Sequence, residues 1–145
     1  MGKIKYHIRV CGGTGCHASL SEDILQNFQD IIREKGLDAE VQAIKTGCFG
    51  FCEKGPIVKI MPDNTFYTQV KPDDCAEILM EHIIKGRQVT RLLYVNPETN
   101  ERVGDEKHIG FYQKQIRIAL RNCGFINPEN IEEYIARDGY MALGK

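Results

Sequence analysis

Apolar and polar residues alternate at the start of the chain and predict a β-strand over residues 4–10. A helix is predicted next, because a capping signature at residues 19–22 precedes a stripe of apolar side chains and Gly36 follows it. That stripe consists of Leu20, Ile24, Leu25, Phe28, Ile31 and Ile32. Alternation returns over residues 38–45 and predicts a second strand. A helix between two neighbouring strands indicates a parallel crossover.

Two further strands and a helix are predicted after this unit. The runs IVKIMP (57–62) and TFYTQV (65–70) are rich in β-forming residues, and the turn sequence PDN between them indicates a hairpin. A helix over residues 71–86 follows, with proline in its first turn and glycine at its end. The resulting order β-α-β-β-β-α predicts an α/β fold, a thioredoxin-like sandwich with a mixed four-stranded sheet.

The last third of the chain has a different pattern. Residues 87–108 are polar and turn-rich and are interpreted as a linker, with RLLYV as a candidate short strand. Helical patterns return over residues 111–122, before Gly124, and over residues 127–136. We therefore expect three parts: a domain at 1–86, a linker at 87–108 and a C-terminal helical extension at 109–145.

Length and composition are those of an ordinary globular protein. The chain has 145 residues, 27% of them charged, and a net charge of −1, so bulk charge indicates neither a nucleic-acid partner nor a membrane surface. No apolar run approaches the ~20 residues of a membrane helix, so no membrane insertion is expected. The alternating N-terminus differs from the apolar block of a signal peptide. We therefore expect a cytoplasmic protein, in which six cysteines favour metal binding or redox chemistry over structural disulfides.

Four of the cysteines fall in two glycine-containing loops. Cys11 and Cys16 follow the first predicted strand, and Cys48 and Cys52 follow the second. Since parallel strands lie about 4.8 Å apart and end at the same edge of a sheet, the two loops can form one site. Four cysteine sulfurs are the ligand set of a [2Fe–2S] cluster, and glycines let backbone N–H groups approach its sulfurs. The two phenylalanines of CFGFC would then form an apolar cover.

The spacing alone also allows other interpretations of these cysteines. Structural zinc takes four cysteines too, and it would make the chain a zinc-stabilised domain that docks partner subunits. Two regulatory disulfides are a third interpretation, although the sequence has no C-x-x-C pair. The stretch GTGCHA (13–18) matches a dinucleotide fingerprint, but the acidic residues lie at the start of the second strand instead of its end, so we reject that match.

The remaining candidate residues receive structural interpretations. Cys75 lies on the apolar stripe of its predicted helix, and Cys123 is assigned to a similar position or to a free thiol. The histidines show no spacing that suggests a partner. Pro56 is a candidate for a cis peptide bond beside the cysteine loop.

Several stretches resemble known families. With VCGGTGC, TGCFGFCEKGP, VKIMPDNTFYTQV and the helix that follows, residues 1–86 resemble the thioredoxin-like [2Fe–2S] ferredoxins, which include the 24-kDa-type subunit of NADH dehydrogenase. This resemblance implies that the cluster ligands are Cys11, Cys16, Cys48 and Cys52. The stretch FYQKQIRIALRNCGFINPENIEEYIARDGYMAL (111–143) is similar to the opening of the flavoprotein subunit of NADH dehydrogenase. Together they resemble the NADH-binding beta subunit of multimeric, electron-bifurcating [FeFe] hydrogenases, an arrangement shared by NADP-reducing hydrogenases and some formate dehydrogenases.

The resemblance implies an electron-transfer module. One [2Fe–2S] cluster would exchange electrons with other subunits of a multimeric hydrogenase or NADH dehydrogenase-like complex. FMN and NAD would bind in the glycine-rich remainder of the parent subunit, which does not occur in these 145 residues. We therefore expect no catalysis from this chain alone and interpret it as the N-terminal piece of an NAD(P)-linked oxidoreductase subunit. A dimer is compatible with the sequence.

Overall fold

The computed structural model describes residues 4–144 and builds them around a mixed four-stranded sheet. The strands are β1 (Tyr6–Cys11), β2 (Val41–Thr46), β3 (Val58–Met61) and β4 (Thr65–Tyr67). They lie in the order β2-β1-β3-β4. β1 and β2 are parallel, whereas β3 is antiparallel to both β1 and β4. The strand order and directions agree with the predicted mixed sheet and its parallel crossover.

Helices cover one face of this sheet. α1 (Thr14–His17) and α2 (Ser21–Glu34) connect β1 to β2, and α3 (Asp74–Glu77) continues as a π-helical segment, Ile78–Ile84. Their apolar side chains bury together with alternate residues of β1 and β3. The buried residues of this helix-side core include Ile8, Val10, Ile24, Phe28, Ile32, Val58, Ile60, Cys75, Ile78 and Leu79. The apolar stripes therefore pack as the sequence predicts, except that Leu20 precedes the helix and is 56% exposed.

Two local predictions in this part differ from the structure. β2 begins at Val41, because residues 38–40 form a turn. The predicted capping box at the start of α2 does not form. Leu20 precedes the helix with φ of 68°, and the Ser19 hydroxyl donates to the Gly15 carbonyl at 3.1 Å. Ser19 is engaged with the short α1 turn and so does not cap α2.

Residues 87–108, for which the sequence predicts a linker, pack on the domain. They contain a 3-10 turn (Thr90–Leu92) and a hairpin of β5 (Tyr94–Val95) and β6 (Arg102–Val103). Two isolated bridges connect this segment to β4. Its buried apolar residues join the helix-side core: Val89, Leu92 and Leu93. The segment is therefore not a free linker, because a few apolar side chains in a polar stretch can be buried without a periodic pattern.

The C-terminal extension contains only short elements within the described residues. These are α4 (Gly110–Gln113), α5 (Ile131–Ile135) and a 3-10 turn (Met141–Gly144). The prediction of a helix over residues 111–122 is wrong beyond Gln113. Ile116 and Ile118 are 91% and 80% exposed, and a short helix without apolar packing is marginal. No helix within residues 4–144 is long and apolar enough to cross a membrane.

The extension covers the face of the sheet opposite the helices. Just before the extension begins, Glu106 forms an ion pair with Lys59 on β3 at 3.1 Å, and both side chains are buried. The Arg9 guanidinium donates to a carbonyl of the extension at 3.3 Å. The buried Thr46 hydroxyl donates to the Ile126 carbonyl at 3.0 Å. Thr46 ends β2, so these contacts place the extension beside the loop that carries the second cysteine pair.

Candidate metal centre

The four cysteines that the sequence singles out meet at the carboxyl ends of β1 and β2. Cys11 is the last residue of β1 and lies opposite Thr46, the last residue of β2. Cys16 lies in α1, and Cys48 and Cys52 lie in the loop after β2. The Cys48 and Cys52 sulfurs are 3.9 Å apart, and the thiols of Cys16 and Cys48 lie near the Cys11 sulfur and lower the pKa of Cys11. Because β1 and β2 are parallel and end at paired residues, the loops that follow them lie next to each other.

Glycine is required at two positions where the loop backbone lies against a cysteine sulfur. A Cβ atom on Gly13 would lie 2.8 Å from the Cys48 sulfur, and one on Gly55 would lie 2.7 Å from the Cys16 sulfur. Real Cβ atoms do not approach other atoms so closely, so a larger residue at either position would displace a sulfur. The loops therefore enclose the sulfurs with bare backbone, which accounts for their glycine-rich composition.

Backbone N–H groups point at the sulfurs. The Gly50 N–H donates to the Cys48 sulfur, with an N–S distance of 3.3 Å. The backbone N–H groups of Gly13 and Phe49 lie near the Cys11 sulfur and help to lower the pKa of its thiol. Donors of this kind favour a thiolate over a thiol. The site is therefore suited to anionic sulfurs, the form that binds metal.

The thiol pKa values diverge within the site. A hydrogen bond from the Cys16 thiol lowers the pKa of Cys11 to about 6, while burial opposes the shift. The same hydrogen bond, followed by burial, raises the pKa of Cys16. Burial is also the main cause that raises the pKa of Cys48. The shared hydrogen bond therefore favours a thiolate at Cys11 and a thiol at Cys16, and a bound metal would displace the remaining protons.

The site is closed by protein on one side and open on the other. Cys11 and Cys16 are 1% exposed, whereas Cys48 is half-buried and Cys52 is exposed. The predicted apolar cover is present, because Phe49 and Phe51 are buried. The site therefore opens to solvent at Cys52.

Three aromatic residues of the cover were missed by sequence reasoning. Tyr94 comes from the segment predicted as a linker, and Phe111 and Tyr112 come from the extension. The Phe51 ring stacks on Phe111 at 4.8 Å between centroids and lies 5.5 Å from Tyr94. The Tyr112 hydroxyl donates to the Phe49 carbonyl at 2.9 Å. The adjacent aromatic pair at 111–112 was the available signal, but nothing in the sequence placed it beside the cysteines.

The donor set at this edge of the sheet consists of four cysteine sulfurs from two loops. Structural zinc takes four cysteines on one ion, and a [2Fe–2S] cluster takes four cysteines over two irons. The residues present therefore fit a [2Fe–2S] cluster by number and type of ligand, and the sulfur geometry alone also allows zinc.

The other two cysteines lie outside this group of four. Cys75 is fully buried in the helix-side core, and burial raises the pKa of its thiol to about 12. Cys123 is half-buried, and its sulfur lies 3.3 Å from where a Cβ atom on Gly47 would be. Cys123 therefore packs beside the second cysteine loop, next to the residue that precedes Cys48.

One histidine has partners that the sequence did not suggest. The His82 Nδ1 lies 2.7 Å from the Tyr67 hydroxyl, and its Nε2 lies 2.9 Å from an Asp63 carboxylate oxygen. His82 is 2% exposed, so these contacts satisfy both of its ring nitrogens inside the core. The peptide bond before Pro56 is cis, as the sequence suggested, and so is the bond before Pro62.

Comparison with known proteins decides which family this fold and site represent. Residues 2–82 match the family model of the thioredoxin-like [2Fe–2S] ferredoxins. The chain belongs to this family. Membership implies a [2Fe–2S] cluster and electron transfer. It also confirms the thioredoxin-like sandwich that the order of strands and helices predicts.

Individual relatives extend the comparison. This chain is 36% identical over 96 residues to a [2Fe–2S] ferredoxin of Clostridium pasteurianum. The alignment covers 61% of this chain and 94% of that protein. A thioredoxin-like [2Fe–2S] ferredoxin from Aquifex aeolicus superposes with a TM-score of 0.59 and 29% identity, over 70% of this chain and 100% of that one. A third match is 64% identical over 33 residues to the NADP-reducing hydrogenase subunit HndC of Solidesulfovibrio fructosivorans, covering 23% of this chain and 7% of that protein.

Proposed function

We propose that this chain transfers single electrons through a [2Fe–2S] cluster whose ligands are Cys11, Cys16, Cys48 and Cys52. The proposal rests on one observation, the convergence of these four sulfurs at one edge of the sheet in a member of a [2Fe–2S] family. The cluster, when bound, supplies the one-electron redox chemistry, while the protein supplies binding, orientation and electrostatics.

Each part of the site has a distinct task in this proposal. Cys11 and Cys16 hold the buried side of the centre, and Cys52 lies on the side open to solvent. The Gly50 N–H, which donates to the Cys48 sulfur, would stabilise the negative charge on the sulfurs of a reduced cluster, and the N–H groups of Gly13 and Phe49 near the Cys11 sulfur would act in the same direction. The aromatic cover excludes water and lowers the local dielectric constant, so those donors act more strongly than they would in water.

We further propose that the chain works as a module of a multisubunit NAD(P)-linked oxidoreductase of the hydrogenase type. The 33-residue match to the HndC subunit supports this assignment. The extension also exposes many apolar side chains, which is typical of a surface that another protein region covers. They are Ile116, Ile118, Leu120, Ile131, Ile135, Met141 and Leu143. FMN and NAD would then bind in the covering region and not in this chain.

The ligand assignment is tested by single cysteine-to-alanine variants purified without oxygen. Cys48→Ala and Cys52→Ala should lose most of the iron and the visible absorption that bleaches with dithionite. The natural chain should contain about two irons. Cys123→Ala is the matched control, because Cys123 is a half-buried cysteine beside the same loop. It should keep both iron and colour.

Two outcomes would contradict the proposal. A colourless natural chain with one zinc ion would indicate a zinc-stabilised domain that docks subunits. Unchanged iron content in Cys48→Ala and Cys52→Ala, together with loss of iron in Cys123→Ala, would show that the ligand set is different.

A further inference from the structure

A single peptide group connects the C-terminal extension to a cysteine sulfur. The Tyr112 hydroxyl donates to the Phe49 carbonyl at 2.9 Å. The Gly50 N–H, which belongs to the same peptide group, donates to the Cys48 sulfur at 3.3 Å. Gly50 has φ of +78°, a left-handed conformation that glycine adopts without strain. The Phe49–Gly50 peptide group therefore accepts a hydrogen bond from Tyr112 through its carbonyl and donates one to Cys48 through its N–H.

Tyr112 is held in place to make this contact. Its side chain is buried, and its ring meets Phe51 and Phe66 edge to face, with centroids 5.7 and 5.8 Å apart. The Arg117 guanidinium lies over the ring at 5.1 Å. Burial is the main cause that raises the pKa of Tyr112, so its hydroxyl remains protonated and available as a donor. On the other side of the contact, Phe49 packs edge to face on Phe66 at 5.5 Å.

We propose that Tyr112 is a positioning residue that raises the reduction potential of the iron–sulfur centre by polarising the Phe49–Gly50 peptide group. This inference rests on the proposed function, since it requires a cluster bound through Cys48. A hydrogen bond to a peptide carbonyl draws electron density towards the oxygen, so the N–H of the same group becomes a stronger donor. A stronger donor to a ligand sulfur stabilises the reduced, more negative state. Reduction adds one electron to the cluster, and the tyrosine keeps its proton throughout.

This role belongs to a residue outside the family match. The family model covers residues 2–82, so the ferredoxin domain supplies the sulfurs and the extension supplies the group that tunes them. The arrangement couples the placement of the extension to the electron affinity of the centre. A partner that moved the extension would therefore change the reduction potential without touching a ligand.

Tyr112→Phe removes the hydroxyl and keeps the ring, and Tyr94→Phe is its matched control. Tyr94 is buried and packs on the same Phe51 ring at 5.5 Å. Among the described residues, its hydroxyl makes no hydrogen bond to the cysteine loop. In potentiometric titrations followed by visible absorption, Tyr112→Phe should show a roughly threefold to tenfold lower ratio of reduced to oxidised centre at a fixed potential. Tenfold corresponds to a shift of about 59 mV for one electron. Tyr94→Phe should leave the potential unchanged.

A second substitution tests the opposite direction. Replacing Tyr112 with 3-fluorotyrosine keeps the hydroxyl and makes it a stronger donor, so the potential should rise. A purely structural role for Tyr112 would change thermal stability or iron content in both variants without moving the potential in opposite directions. An unchanged potential in an iron-loaded Tyr112→Phe protein would overturn the inference and leave the cluster assignment intact. A natural chain without iron would instead reject the proposed function.

Discussion

The two faces of the central sheet bury their side chains by different means. Towards the helices, the two middle strands present apolar residues, four of which are aliphatic and at most 1% exposed: Ile8, Val10, Val58 and Ile60. Towards the extension, the positions between them carry Arg9 and Lys59, which lie opposite each other in the strand register. Lys59 is 2% exposed, although it is charged, because Glu106 pairs with it from the end of the segment 87–108, just before the extension.

The second face depends on specific partners. Burial lowers the pKa of Lys59, and the carboxylate of Glu106 opposes that shift. The Phe125 ring lies 5.0 Å from the Lys59 ammonium and 5.9 Å from the Arg9 guanidinium, within reach of cation–π attraction. Hydrophobic burial tolerates imperfect geometry, whereas a buried charge requires its partner. The helix side should therefore control global stability, and the extension side should control whether the extension stays in place.

The largest expected effect lies on the helix side. Phe28→Ala removes a fully buried ring from the core and should lower the free energy of unfolding by about 3–5 kcal/mol. The measurement is urea unfolding followed by circular dichroism. Ile116→Ala, at a residue that is 91% exposed, is the control and should stay within about 0.5 kcal/mol of the natural chain. Equal losses in the two variants would contradict the assignment of the core.

The free energy of unfolding should fall at alkaline pH because of Tyr67, which is buried in the helix-side core. Burial raises the pKa of Tyr67 to about 12, from 10.0 for an exposed tyrosine. Because the folded state keeps this proton to higher pH than the unfolded state, its stabilisation is complete below pH about 10 and is lost towards pH 12. Two pKa units correspond to up to about 3 kcal/mol.

The contribution of Tyr67 is isolated by comparing the unfolding of the natural chain and of Tyr67→Phe at several pH values between about 9 and 12. The natural chain should lose stability over that range more steeply than Tyr67→Phe. Cys75, whose pKa burial also raises, is present in both proteins, so its contribution cancels in the difference. Identical slopes would show that Tyr67 titrates alike in the folded and unfolded states.

A smaller effect on stability is expected on the extension side. Glu106→Gln leaves Lys59 buried beside a neutral amide, which should cost about 1–3 kcal/mol. The extension can detach and return Lys59 to water, so limited proteolysis after residue 104 should accelerate before global unfolding does. The double variant Lys59→Met with Glu106→Leu should restore resistance to proteolysis, since an apolar pair can replace a buried ion pair. Faster cleavage in the double variant would show that the charges hold the extension by themselves.

The parts of the fold and site that could be predicted are those where apolar residues recur at a regular spacing. The strands of the sheet and the long helix α2 could be predicted because aliphatic residues recur at the spacing of each element. The grouping of the four cysteines could be predicted because both pairs follow strands that the crossover makes parallel. The helix over residues 111–122 was wrong, since its apolar positions repeat at helical spacing but face no core. The burial of Lys59 gave no sequence signal, because an isolated lysine in a strand usually faces water.

The amino-acid sequence by itself determined the helix-side core, the order of strands and helices along the chain and the grouping of the four cysteines at one edge of the sheet. These features depend on local periodicity and on the geometry of a parallel crossover, which are properties of neighbouring residues. The tertiary structure alone decided that the extension covers the second face, that Glu106 neutralises Lys59, and that Tyr112 reaches the Phe49 carbonyl. Those contacts join residues more than forty positions apart through single side chains. No periodic pattern encodes such a pairing, so the folded chain is needed to reveal it.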